Sequence, residues 1–152
     1  MKKIRLLAMV LLVVMMFTGC QRSLSYGYKM QSGDIVIVKC DLTKGYSMQA
    51  DQAGGTFQIM DKENNLILDG FLVEKEMYDK YLNVIQGEGC TIIPAKEKEG
   101  ITVTQYQYVS EKATENNFIC WINGGKTGVV IASMSSQEEA EAAFDCITIK
   151  LD

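Results

Sequence analysis

The chain has 152 residues, 47% of them apolar, enough for one domain with a sizeable core and too few for two. Charged residues make up 22% and only one Pro is present, which excludes a disordered or Pro-rich chain. His is absent, so Ser-His-Asp and Cys-His nucleophiles, His-ligated metals and imidazole acid–base chemistry are excluded. The balance of 15 Lys and Arg against 19 Asp and Glu, net −4, argues against nucleic acid as a partner.

The N-terminus carries the most specific signal. Lys2, Lys3 and Arg5 precede an uninterrupted apolar run of 12 residues, Leu6 to Phe17. As a helix that run reaches about 18 Å, well short of a hydrocarbon core of about 30 Å, so it reads as the h-region of a signal peptide. Phe17-Thr18-Gly19-Cys20 then resembles the lipobox of bacterial lipoprotein precursors, with small residues at the two positions before a Cys. The resemblance implies that the Cys20 thiol accepts diacylglycerol and that cleavage just before it makes Cys20 the first mature residue. It further implies palmitate-type acylation and a place at the extracytoplasmic face of the cell membrane. Phe17 departs from the Leu usual in that family. Loss of residues 1–19 leaves 12 Lys and Arg against 19 Asp and Glu, net −7. Anionic headgroups repel such a total, so the acyl chains on Cys20 are expected to supply the membrane attachment.

Gln21 to Gly33 (QRSLSYGYKMQSG) has no apolar period and reads as a tether, so the expected division is a signal peptide over 1–19, a lipidated tether over 20–33 and a globular domain over 34–152. Ile35 to Cys40 is a β-branched strand ending at Asp41, and Tyr46 to Ala50 is a weaker one before Gly54-Gly55. Thr56 to Met60 and Leu66 to Val73 flank the polar cluster Asp61 to Asn65 as a hairpin. Met77, Tyr78, Tyr81, Leu82 and Ile85 fall at helical spacing, which predicts a helix over Glu74 to Gln86. Thr91 to Pro94 is a short strand and Lys96 to Gly100 a solvated loop. Ile101 to Val109, Asn117 to Ile122 and Thr127 to Met134 are strands, the last two joined by the tight turn Asn123-Gly124-Gly125-Lys126. Ser136-x-x-Glu139 is a capping box opening a helix with Ala140, Ala143, Phe144 and Ile147 on its apolar face, and Ile147 to Leu151 finishes as a short strand.

The predicted order is four strands, helix, four strands, helix: a single α+β domain with a mostly antiparallel sheet. It resembles the PsbP-like domains of photosystem extrinsic proteins, their nuclear Ran-binding relatives and certain actinobacterial lipoproteins. The residues that carry this are the Gly124 to Gly128 hairpin, the Val129 to Ser133 strand and a terminal helix from Glu138 to Ile149. The resemblance transfers no catalytic residue.

Several chemical motifs fail on inspection. Gly125-Lys126-Thr127 lacks the upstream Gly of a phosphate loop, where Cys120 stands, and leads into a strand. Asp61 to Asn65 with Asp69 lacks the Gly and terminal Glu of a calcium loop, where Leu66 and Leu72 stand. Glu138, Glu139 and Glu141 occupy the start of a helix, where the dipole favours acids. No metal ligand set and no cofactor site emerge.

Tyr106 and Tyr108 share one strand face and, with Trp121, are the candidate ligand-binding residues; packing beneath a helix is the competing account. Both faces of the Trp121 strand are apolar, which predicts a central strand. Cys40, Cys90, Cys120 and Cys146 allow two disulfides, but their wide spacing and strand positions favour free buried thiols. The chain therefore reads as a monomeric, membrane-anchored, non-catalytic binding or envelope-assembly module with a protein or small-molecule partner that the sequence does not name. The alternatives are an envelope hydrolase using carboxylate or Cys chemistry, with Asp69 and Glu74 as reserve residues, and a tethered sensor or regulatory domain.

Overall fold

The computed structural model describes residues 22–152, so the expected signal peptide and Cys20 lie outside the described residues. Its elements are β1 (Ser23–Lys29), β2 (Ile35–Asp41), a 3-10 turn (Leu42–Lys44), β3 (Ser47–Asp51), β4 (Thr56–Met60), β5 (Leu66–Glu74) and α1 (Lys75–Val84). There follow β6 (Cys90–Lys98), β7 (Ile101–Val109), β8 (Thr114–Ile122), β9 (Thr127–Ala132), α2 (Gln137–Phe144) and β10 (Ile147–Leu151). The domain is α+β and its strand pairings are antiparallel, in a small sheet ordered β1-β2-β10 and a large one ordered β3-β4-β5-β9-β8-β7-β6.

Strand alternation decides which residues meet. Val36, Val38 and Cys40 of β2 and Ile147 and Ile149 of β10 turn inward from the small sheet. Phe57, Ile59, Leu68, Leu72, Val103, Phe118, Cys120, Val129 and Ile131 face them from the large one, so one core fills the space between the sheets. The helix α2 joins that core through Ala140, Ala143 and Phe144, whose ring stacks on Phe118 at 4.4 Å between centroids. Its capping box is formed as the sequence predicts: the Ser136 hydroxyl accepts from Glu139 N, and the Glu139 carboxylate accepts from Ser136 N. The other helix, α1, covers the opposite face of the large sheet, with Tyr78 against Trp121 at 4.8 Å and Tyr81 against Phe71 at 5.8 Å. Gly128 of β9 is what admits it, since a Cβ there would stand 2.6 Å from the Tyr78 ring.

Four expectations are corrected. Residues 23–29 are not a tether but the edge strand β1. Leu24, Tyr26 and Tyr28 recur at every second position and oppose Cys40, Val38 and Val36, a period hidden by the Ser, Gly and Lys between them. The element order is accordingly five strands, helix, four strands, helix, strand. Lys96 to Lys98 belong to β6 rather than to a loop, and only Glu99 and Gly100, both at positive φ, make the turn. Pro94 fits this strand because β6 is a sheet edge and its register shifts between Ile93 and Lys96. Finally, the helix that the resemblance carried to Ile149 ends at Phe144, and Ile147 to Leu151 form the short strand expected from their β-branched run, paired with β2.

The two sheets are also tied by polar contacts. Tyr28 of β1 donates its hydroxyl to Thr56 O of β4 at 3.0 Å. The Asp34 carboxylate accepts from Lys126 N at 2.6 Å and from the Thr127 hydroxyl at 2.8 Å, binding the start of β2 to the β8–β9 turn.

Candidate functional site

The outward face of β6, β7 and β8 extends beyond the C-terminal end of α1, and this is where the aromatic pair predicted from sequence lies. Register sets Ile92, Tyr106 and Asn117 in one cross-strand row and Cys90, Tyr108 and Glu115 in the next. Tyr108 is 37% exposed and Ile92 equally so, while Val84 at the end of α1 is 68% exposed. Half-buried Tyr106 has its phenol pKa raised, chiefly by burial. Gly89 reaches Tyr108 at positive φ, where a Cβ would stand 3.1 Å from the ring, and its carbonyl accepts from Val109 N at 2.9 Å. Beside it lies a shallow depression of about 480 Å³ with Glu88, Glu111 and Lys112 at its polar rim.

Trp121 does not join this pair. It stands four residues from Asn117 along β8, about 13 Å away by strand rise, half-buried beneath Tyr78 with Lys75 Nζ 5.6 Å from the ring centre. Its strand is covered on both faces, as the sequence predicts, with Phe118, Cys120 and Ile122 toward the core and Ile119 and Trp121 toward α1. Asp69 and Glu74 do not converge either. Asp69 accepts from Gln58 Nε2 at 3.3 Å on the exposed face of β5, whereas Glu74 accepts from Ser32 N at 3.2 Å at the entrance to α1.

The four Cys of the described residues are free thiols, with Cys40, Cys120 and Cys146 buried. Burial pushes the Cys120 thiol up to about 12 and that of Cys40 up to about 11, and it raises Cys146 as well. These groups are held neutral, away from the thiolate that a nucleophile requires. Several carboxyls move the other way. Asp34 is lowered by the hydrogen bond from Lys126 N and then by that from the Thr127 hydroxyl, and Asp61 by its bonds from Asn65. Glu141 is lowered by Gln137 and then Gln105.

Sequence reasoning missed that last cluster. Gln105 Nε2 donates to Glu141 Oε1 at 2.8 Å, and Gln107 Nε2 donates to Asn116 Oδ1 at 3.1 Å, so polar pairs secure the inner ends of β7 and β8. The available signal was two Gln continuing the inward positions of Ile101 and Val103. Among the described residues no group of three or more acids and Cys is placed to hold a metal ion.

No protein-family model matches the chain, and no curated protein matches it. No helix of the described residues is long and apolar enough to cross a membrane.

Proposed function

We propose that this chain is a lipid-anchored extracytoplasmic lipoprotein whose domain works as a non-catalytic binding or envelope-assembly module. The observation that carries the binding role is the uncovered shelf beside α1. Two of the large exposed hydrophobics, Ile92 and Tyr108, stand beside half-buried Tyr106 on the outward face of β6 and β7, while Phe71 and Trp121 of the same sheet face lie under the helix. Two aromatic rings at alternate positions of one strand offer a flat stacking surface for a sugar ring or an extended peptide. The anchoring role is supported by the basic n-region, the short apolar run and Phe17-Thr18-Gly19-Cys20. The PsbP-like reading gains support from the Gly124 to Gly128 hairpin and the strand after it, and loses some from the shorter final helix.

The hydrolase reading has less behind it. The two reserve carboxylates sit at separate places on β5, and the buried thiols are held protonated.

A photoreactive side chain placed at position 108 should give a discrete adduct in intact cells, one that Ile92→Ser abolishes without lowering the unfolding temperature. The same probe at position 62, in the β4–β5 turn, should give none. Equal labelling at both positions would remove the shelf from consideration. Anchoring is read separately: mass spectrometry of the native protein should find a diacylated Cys20 as the first residue, and Cys20→Ala should accumulate as an unlipidated precursor.

A further inference from the structure

The outward face of the small sheet has a composition unlike the rest of the molecule. Because Val36, Val38 and Cys40 turn into the core, Ile35, Ile37 and Lys39 of β2 face solvent, and their cross-strand neighbours do the same. Ile35 pairs with Lys29, Ile37 lies between Gly27 and Lys150, and Lys39 lies between Ser25 and Thr148. The result is an apolar ridge with lysines around it. Ile35 is 45% exposed, and Lys29, Lys39 and Lys150 are all exposed. Arg22 precedes β1 at one end of this face. Its acids are Asp41, held by the Thr43 backbone and hydroxyl, Asp152 after β10, and Glu99, whose carboxylate accepts from the Thr148 hydroxyl at 3.2 Å. Arg22, Lys29, Lys39 and Lys150 against these three acids leave the face at +1 in a mature chain of net −7, with all three lysines exposed and both Asp41 and Glu99 engaged by hydroxyl donors.

We propose that this face lies against anionic phospholipid headgroups, with the Ile35–Ile37 ridge among them and Lys29, Lys39 and Lys150 on their phosphates. The proposal rests on the lipobox reading of Cys20. Ser23, the first residue of β1, follows Cys20 by three positions, a reach of about 10 Å. No stalk lifts the domain, so one of its surfaces must meet the bilayer, and β1 belongs to the sheet that the anchor enters. Charge complementarity selects the exposed face of that sheet. The chain's overall negative charge does not forbid this. At physiological salt the screening length is about 8 Å, so acids on α1 and in the turns of the large sheet, a full sheet layer away, are largely invisible to the lipid. Each facing Lys contributes a factor of about five in partitioning onto such a surface, and aliphatic lysine stems lie readily along apolar side chains while the ammonium reaches for phosphate.

The test uses the mature chain, residues 20–152, carrying Cys90→Ala, coupled through Cys20 to a maleimide lipid in vesicles. The remaining thiols are buried, and the whole core lies within this span. Lysine acetylation is then read residue by residue. On vesicles half composed of phosphatidylglycerol, Lys39 and Lys150 should be labelled at least about five-fold more slowly than on neutral phosphatidylcholine, and the difference should vanish at about 0.5 M salt. Lys62 and Lys112, in turns of the large sheet, should be unaffected. Lys39→Gln with Lys150→Gln should release the protection of Lys29. Equal labelling on the two kinds of vesicle would overturn the proposal, and protection found only in native envelopes would overturn it in favour of a protein occupant. Because the tether here is chemical, either result leaves lipidation of Cys20 in the cell to be decided by its own mass measurement.

Discussion

Tyr28 tests whether β1 is an integral strand or a dispensable one. Its ring is 1% exposed and its hydroxyl reaches across to Thr56 O of the large sheet. Tyr28→Ala removes a fully buried aromatic ring, a loss of about 3–5 kcal/mol, from a domain whose total stability is on the order of 5–15 kcal/mol. Tyr28→Phe keeps the packing but leaves the Thr56 carbonyl without its donor, a loss of about 1–2 kcal/mol. Urea unfolding followed by Trp121 fluorescence is the decisive assay, because Trp121 lies on the far face of the large sheet under α1. A lower midpoint at that remote probe means that β1 and the large sheet unfold as one unit. The alkaline limb adds a signed check. Burial raises the Tyr28 phenol to about 12, above its ordinary value of about 10. The neutral form is therefore favoured by folding, a contribution complete below the unfolded pKa and lost as pH rises through the folded one. At about pH 11 the wild type should have lost about 1.4 kcal/mol relative to Tyr28→Phe. A Tyr28→Ala variant with an unchanged Trp121 transition would refute the reasoning and make β1 a dispensable strand.

Two further outcomes follow from close contacts. Gly128→Ala should cost about 1–3 kcal/mol in denaturant unfolding, because the new methyl meets the Tyr78 ring; combined with Tyr78→Ala the loss should be less than additive. Asp34→Asn should cost about 1 kcal/mol at neutral pH, since the Lys126 and Thr127 donors lose an anionic acceptor. The folded pKa of Asp34 lies below the ordinary value, so the stabilisation is present above the unfolded pKa and disappears as pH falls through the folded one. The unfolding temperatures of the wild type and of the Asp34→Asn variant should therefore converge in acid.

Elements with a strong local signature were legible in the sequence. The β-branched run from Ile35, the turns at Asp61 to Asn65 and Asn123 to Lys126, and the capping box at Ser136 stand where the pattern puts them. What failed was strand assignment where composition outvoted period. Leu24, Tyr26 and Tyr28 alternate among polar residues, and Lys96 to Lys98 are charged because their strand is a sheet edge that keeps water. The site was legible only in part. Alternation put Tyr106 and Tyr108 on one face, but it could not say that α1 stops short of them and covers Trp121 instead. Nor could total charge reveal the lysine-rimmed ridge, whose members come from three strands, one of them more than a hundred residues from the other two, and meet only through sheet pairing.

The irregular edge strand β6 bears on how copies of this domain behave side by side. An open strand edge is a template for joining sheets between neighbouring copies. Pro94 offers no N–H at that edge, the register shift beside it bends the strand, and Lys96, Glu97 and Lys98 place charges along its end. A second β6 laid alongside would find its hydrogen-bonding row interrupted midway. At the β6 edge the large sheet therefore carries its own obstacle to strand-by-strand growth, and the opposite edge, β3, is only five residues long.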